Sequence, residues 1–170
     1  GIMGEVDVKR VNQNIIKAKH YGAKLITTPG TLKDAITTTL KTWTADPDSY
    51  YVVGSSVATS PFPRIVQYAQ DIIGREARKQ MMETEGRLMD LCLGCVGGGS
   101  NFLGLIHEFL DEPDVKIIGV EASGSASLTK GTVGIMQGMK SYMLQNDYGS
   151  MTMGEPNISA GTQFYSVGPE

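Results

Sequence analysis

The chain has 170 residues, of which 41% are hydrophobic and 19% are charged, enough for one folded domain with a core, or one domain and a part. The formal net charge of −3 gives no reason to expect a nucleic-acid partner, and no apolar run approaches the length of a membrane span. With no signal peptide visible, the sequence predicts a cytoplasmic protein that binds neither nucleic acid nor membrane.

The first half of the chain predicts strands that alternate with helices. Gly1–Gly4 resembles the end of a buried strand, Asp7 is suited to cap a helix, and Thr31 with Asp34 forms the pattern of a capping box. The predicted elements are a strand end at 1–4, a helix at 7–21, a strand at 24–28, a helix at 31–43, a strand at 51–54 and a long helix at 65–85.

The most informative segment is a run of three glycines in the second half. An apolar run, 91–96, predicts a buried parallel strand, and apolar residues at helical spacing follow over 102–110. Gly97, Gly98 and Gly99 therefore lie at a strand-to-helix turn, where backbone N–H groups are unobstructed by a Cβ and a helix begins. Ser100 and Asn101 add side-chain donors, so the segment indicates a phosphate site. The alternative is a tight turn whose glycines serve only helix–strand packing.

The alternation up to Glu121 predicts an α/β fold, with three layers around a mostly parallel sheet and flanking helices. After Glu121, glycine, serine and methionine dominate, and this composition indicates a loop-rich C-terminal tail with short strands at best. A soft boundary near Glu85 divides the chain into residues 1–84 and residues 85–170.

The two cysteines, Cys92 and Cys95, have C-x-x-C spacing. Residues three apart on a strand point to opposite faces, and a redox C-x-x-C needs a helix start. We therefore expect plain buried thiols in a reducing compartment. With no second cysteine pair and no clustered histidines, a metal site of cysteines and histidines is not expected.

Two classes of phosphate ligand can be separated by motif. No Gly-Lys-Ser/Thr follows the glycines, so the turn is not a triphosphate-binding P-loop. Glu121 stands 22 residues after Gly99, where a ribose-binding acid would lie in a dinucleotide site. However, Phe102 replaces the third glycine of that fingerprint, and a dinucleotide-binding module stays an open alternative.

A series of short motifs along the chain points to a cofactor with one terminal phosphate. They are TLKDA at 31–35, EGRL at 85–88, CVGGGSN at 95–101, IGVE at 118–121, VGI at 133–135, GMK at 138–140, ISAG at 158–161 and SVGP at 166–169. In content and order they resemble the tryptophan synthase β subunit, a pyridoxal-phosphate enzyme of fold type II. The motifs correspond to less than half of that subunit, so a fragment is expected.

The resemblance implies a parent enzyme, a lyase of tryptophan biosynthesis, that replaces the hydroxyl of serine with indole. Its implied partners are a tryptophan synthase α subunit and a second β subunit. Residues 1–84 would form most of a communication domain, and residues 85–170 part of the large cofactor domain. A relative that uses another nucleophile, such as a thiol, and a non-catalytic interaction domain are the remaining alternatives.

The resemblance also assigns site residues. The pyridoxal phosphate group would be held by Gly97, Gly98, Gly99, Ser100 and Asn101. A monovalent cation would be held by the backbone carbonyls of Gly97, Phe164 and Ser166. The Schiff-base lysine of the family lies in a motif that this chain does not contain, so we nominate no catalytic residue and expect the chain alone to be inactive. Met136, Gln137 and Gln163 depart from the family pattern, which puts domain closure and a substrate tunnel in doubt.

Overall fold

The computed structural model describes residues 1–152 and 158–170. Its elements in chain order are β1 (Ile2–Gly4), α1 (Glu5–Arg10), α2 (Asn12–His20), β2 (Ile26–Thr28), α3 (Leu32–Ala45), α4 (Phe62–Gln70), α5 (Ile72–Glu85), β3 (Leu91–Val96), α6 (Ser100–Ile106), β4 (Lys116–Glu121), α7 (Ser127–Lys130), β5 (Thr132–Met136) and β6 (Met139–Met143), with 3₁₀ turns at His107–Phe109 and Ala160–Thr162. Among these, no helix is both long and apolar enough to cross a membrane.

The chain forms two compact units, Gly1–Val52 and Val53–Glu170. In the first unit, β1 and β2 pair in parallel and α3 packs against β1. The predicted capping box opens α3: the Thr31 N–H donates to Asp34 Oδ2 at 2.8 Å, and the Thr31 hydroxyl donates to the same oxygen at 3.2 Å. This carboxylate satisfies one of the donors that every helix start leaves unpaired.

The second unit is built on the parallel pair β3–β4, in which Leu91 lies opposite Lys116 and Val96 opposite Glu121. The helix α6 packs on β3, and α4 and α5 pack on α6. Cys92, Phe109 and Val115 form the buried cluster beneath these helices. The position of α6 matters for the site, because this helix starts where the glycine turn ends.

Two glycines allow the helices of this unit to cross closely. A Cβ on Gly104 of α6 would lie 2.5 Å from the Gln70 carbonyl oxygen, and a Cβ on Gly74 of α5 would lie 2.6 Å from the Leu105 carbonyl oxygen. A side chain at either position would push the backbones apart. The register of α6 against α4 and α5 is therefore fixed by backbone contact.

The C-terminal part is loop-rich with short strands, as the sequence predicts. The strands β5 and β6 form an antiparallel hairpin, and Met143 at its end pairs with Ser166 in an isolated antiparallel bridge. Three of the methionines that the sequence groups here, Met136, Met139 and Met143, are buried. Met153, in the same group, lies outside the described residues.

The predicted α/β class, with parallel strand pairs and flanking helices, is confirmed. In the described residues the strands form two-stranded sheets, β1–β2, β3–β4 and β5–β6. The strand predicted at 51–54 was wrong: the segment is irregular, and Tyr50 and Val52 are 90% and 83% exposed. Without a partner strand, apolar composition alone does not make a β-strand.

Three further predictions need correction. The helix predicted at 7–21 is two helices that meet at Val11, and the long helix begins at Phe62 and is interrupted at Asp71. Cys92 is buried as predicted, but Cys95 is exposed. One face of β3 is covered and the other open, so the alternation of side chains places the two thiols in different surroundings.

The compact units divide earlier than the boundary predicted near Glu85. Because α5 packs against α6, residues 72–85 belong structurally with the glycine turn. The roles assigned to residues 1–84 and 85–170 stay predictions.

Candidate functional site

The glycine turn joins the end of β3 to the start of α6, as the sequence predicts. Gly99 has φ 97° and ψ −13°, a left-handed conformation that glycine adopts without strain. Its carbonyl oxygen accepts the first helical hydrogen bond, from the Leu103 N–H at 2.8 Å. The local fold thus presents the backbone of Gly97–Asn101 at a helix entrance.

Other segments of the second unit lie directly against the turn. A Cβ on Gly98 would be 2.9 Å from Val57 Cγ2 and 3.2 Å from Ser55 Oγ. A Cβ on Gly97 would overlap the Gly161 carbonyl oxygen. Packing therefore requires glycine at these two positions, which agrees with the tight-turn alternative as well as with a phosphate site.

The donors of the turn are available to a ligand, as at any helix start. The backbone N–H groups of residues 98–101 have no protein acceptor among the residues that the structure describes. The residues themselves are only partly covered, and Asn101 is exposed. Four consecutive N–H groups without an acceptor in the described part of the chain, on an accessible turn, are suited to an anion as well as to water.

Two hydrogen bonds to the Gly98 carbonyl oxygen fix the orientation of the turn. The Gly98 carbonyl oxygen accepts the Ser56 hydroxyl at 2.6 Å and the Gly168 N–H at 2.9 Å. Ser56 is 2% exposed. No motif of the sequence predicts a role for Ser56, and the SVGP motif predicts none for Gly168. A lone serine in a polar loop carries no signal that distinguishes this contact.

Of the three carbonyls assigned to a cation, one belongs to Gly97 in the turn and two belong to Phe164 and Ser166 near the C-terminal end of the described residues. Phe164 is 7% exposed and Ser166 is fully buried. Hydrogen bonds flank Ser166 on both sides, from Leu144 N–H to the Tyr165 oxygen at 2.7 Å and from Val167 N–H to the Tyr142 oxygen at 3.3 Å.

This pattern makes Met143 and Ser166 a non-hydrogen-bonded pair, so the bridge does not use the Ser166 carbonyl. The Ser166 hydroxyl is buried without a partner among the described residues. Among residues 1–152 and 158–170, no group of three or more His, Cys, Asp or Glu side chains is placed to hold a metal ion.

Glu121 has a structural role that competes with ribose binding. Its carboxylate accepts the N–H groups of Leu128 at 2.8 Å and Thr129 at 3.0 Å, and the Thr129 hydroxyl at 2.7 Å. These contacts cap the short helix α7. A dinucleotide ribose would have to displace them, which weighs against the dinucleotide alternative.

The two cysteines differ in burial, and burial affects the chemistry of Cys92. Burial raises the pKa of the Cys92 thiol above its usual range, which keeps it protonated and unreactive at neutral pH. Both cysteines are free. Neither the geometry nor this shift supports a redox pair.

Comparison with protein-family models matches residues 5–156 to the family described as "Pyridoxal-phosphate dependent enzyme". The matched range contains the loop before α4, the strand pair β3–β4, the whole glycine turn and the β5–β6 hairpin. It covers most of the 170 residues. The chain therefore belongs to the pyridoxal-phosphate-dependent enzyme family.

Proposed function

We propose that the glycine turn binds the phosphate group of pyridoxal phosphate. The observation that carries the proposal is the run of backbone N–H groups at residues 98–101 that find no acceptor in residues 1–152 and 158–170. A phosphate dianion accepts several hydrogen bonds at once, and neutral donors at a helix entrance meet that need. Ser100 and Asn101 lie in the first turn of α6 and would add side-chain donors.

The residues present fit the phosphate end of the cofactor. When bound, pyridoxal phosphate supplies an electron-withdrawing ring that stabilises a carbanion on an amino-acid substrate. Gly97–Asn101 would bind and orient its phosphate. Gly98 lets the turn pack against Val57, because a Cβ at this position would lie 2.9 Å from Val57 Cγ2. In this proposal the chain supplies binding groups, and we assign no catalytic residue.

We further propose that the parent activity is that of a tryptophan synthase β subunit, which joins indole to serine with the help of an α subunit and a second β subunit. The support is the ordered series of motifs, in particular the linked TLKDA and GMK segments. A related enzyme with a thiol nucleophile is the competing function, because it would use a similar glycine turn.

We also propose a monovalent cation at the carbonyls of Gly97, Phe164 and Ser166. Backbone carbonyl oxygens suit hard cations, and the Ser166 carbonyl is not used in the bridge to Met143. The test is titration with K⁺ or Na⁺, followed by the NMR signals of these residues and by phosphate affinity. If neither the signals nor the affinity changes, this site is wrong.

The phosphate proposal is tested by adding one negative charge to the turn without adding volume. In Asn101→Asp the new carboxylate lies at the start of α6, where it favours the helix but repels a bound dianion. We expect wild type to bind inorganic phosphate with a Kd of about 1 mM, equivalent to roughly −4 kcal/mol. The variant should bind about tenfold more weakly, because like charges a few ångströms apart repel by about 1–2 kcal/mol in a solvated site.

The matched control is Asn146→Asp, which adds the same charge elsewhere in the second unit. Asn146 Oδ1 accepts the N–H groups of Tyr148 and Ser150, and a carboxylate can keep both bonds. Equal phosphate affinity in wild type and Asn101→Asp would overturn the proposal. Tighter binding of NAD than of pyridoxal phosphate would favour the dinucleotide alternative.

A second measurement addresses catalysis. We expect no tryptophan from serine and indole with the purified chain, because its residues do not match the family's Schiff-base lysine motif. Turnover by the chain alone would show that a lysine outside that motif can serve.

A further inference from the structure

We propose that Ser56 is a positioning residue of the phosphate site: its hydroxyl holds the Gly98 carbonyl so that the Gly99 N–H faces the bound phosphate. This inference rests on the proposed phosphate site and adds a residue outside the glycine turn. The contact that carries it is the 2.6 Å hydrogen bond from Ser56 Oγ to the Gly98 oxygen.

The direction of one peptide group links this contact to the ligand. The Gly98 C=O and the Gly99 N–H belong to the same planar trans peptide, so they point to opposite sides. Ser56 and the Gly168 N–H hold the oxygen on the side of the 55–57 and 167–168 segments. The Gly99 N–H is thereby directed away from those segments, and it has no acceptor among the described residues.

A turn of three glycines needs such a restraint. Glycine rotates about its backbone bonds more freely than any other residue, so the peptide between Gly98 and Gly99 is flanked by two flexible α-carbons. Without a fixed carbonyl the N–H would sample other directions, and phosphate binding would have to order it. Two donors on one oxygen fix the peptide before the ligand arrives, and such preorganisation improves affinity.

The surroundings of Ser56 suit a rigid support. Its side chain is buried at 2% exposure, and its own carbonyl oxygen accepts the Ala58 N–H at 3.0 Å. Gly168 lies so close that a Cβ there would be 2.7 Å from the Ser56 carbonyl oxygen. A buried hydroxyl with one fixed acceptor has little freedom to bond elsewhere.

The test compares phosphate affinity in folded variants. We expect Ser56→Ala to bind inorganic phosphate and pyridoxal phosphate about fivefold to tenfold more weakly than wild type, the factor expected for one lost hydrogen bond. Ser56→Cys fills the site with a somewhat larger thiol that donates only weakly, so it should also bind weakly. Affinities are measured well below the melting temperature of each variant, where a loss of stability alone leaves Kd unchanged.

The matched control is Ser125→Ala. Ser125 is 3% exposed, and its hydroxyl donates to the Thr162 carbonyl at 2.5 Å, so the variant loses a similar buried bond that does not involve the Gly98 peptide. We expect a comparable loss of stability and less than about a twofold change in Kd, well under the value of a hydrogen bond to the ligand. Equal phosphate affinity in Ser56→Ala and wild type would overturn the positioning role.

A measurement on wild type alone keeps the inference testable if the variants fail to fold. During phosphate titration, the amide signal of Gly99 should move among the most of all backbone amides. Movement of the Ser100 and Asn101 amides without Gly99 would overturn the role of Ser56 and leave the phosphate site standing. If wild type binds no phosphate, the proposed function itself fails.

Discussion

The two compact units of this chain differ in how much they bury. In the first unit, Gly1–Val52, only Gly4 and Ala35 are buried, while Tyr21 is 83% exposed. The second unit has the cluster of Cys92, Phe109 and Val115. The region that carries the candidate site is therefore also the region with a packed core.

Several side-chain hydrogen bonds of α3 in the first unit are local to the helix, and they do not replace a packed core. Besides the capping box, α3 has threonine hydroxyls that donate to the carbonyl four residues earlier, from Thr37, Thr38 and Thr39. Such bonds satisfy side chains but contribute little to helix stability. The comparison predicts that core substitutions in the second unit have large effects, and that substitutions in the first unit have small ones.

The largest effect is expected for Phe109→Ala. Phe109 is fully buried and packs in the cluster with Cys92 and Val115, so its loss leaves a cavity that should cost about 3–5 kcal/mol of the free energy of unfolding. The control is Tyr50→Ala in the first unit, where the side chain is 90% exposed and the change should stay within about 0.5 kcal/mol. Urea denaturation followed by circular dichroism measures both. Similar midpoints would contradict the assignment of the core to the second unit.

An intermediate effect is expected for Gly104→Ala. The added methyl group would meet the Gln70 backbone at the crossing of α6 with α4, and overpacking of this kind costs about 1–3 kcal/mol. Gly54→Ala is the matched control, because no atom lies within 4 Å of the added Cβ. If both variants melted alike, the close crossing of the helices would be wrong.

The sequence predicts those features that depend on neighbours in the chain. The apolar run before the glycines, the glycines themselves and the following helical spacing are enough to place the turn between β3 and α6. The Thr31–Asp34 spacing is enough to place the start of α3. In each case the deciding interaction lies within a few residues.

Features that depend on distant segments could not be predicted. The 51–54 segment has strand composition but pairs with no strand in the described part of the chain, and Cys95 is exposed because one face of β3 is open. The bond from Ser56 to Gly98 joins residues 42 apart in the chain. No local pattern marks a serine whose partner is fixed by tertiary packing.

The smallest effect, and the one most specific to the first unit, is the pH dependence of the α3 cap. The Thr31 backbone N–H that donates to the Asp34 carboxylate lowers the pKa of Asp34 below 3.8, with smaller contributions from the Thr31 hydroxyl and Lys33. A lowered folded-state pKa means that the carboxylate stabilises the fold above the unfolded pKa, and that this contribution is lost as the pH falls through the folded pKa.

Asp34→Asn removes the charge and keeps an acceptor oxygen. Because the Asp34 side chain is 42% exposed, solvent screens the interaction, and the variant should lose only about 0.5 kcal/mol at neutral pH. The difference from wild type should shrink as the pH falls below about 4, the range in which a free aspartate becomes protonated.

Trp43, the single tryptophan of the chain, lies in α3, so its fluorescence reports the unfolding of this helix. Asp46→Asn at the opposite end of α3 is the control, and it should be neutral or slightly stabilising, because a negative charge at a helix C-terminus is unfavourable. A difference between Asp34→Asn and wild type that persists unchanged at acid pH would show that the carboxylate charge does not stabilise the cap.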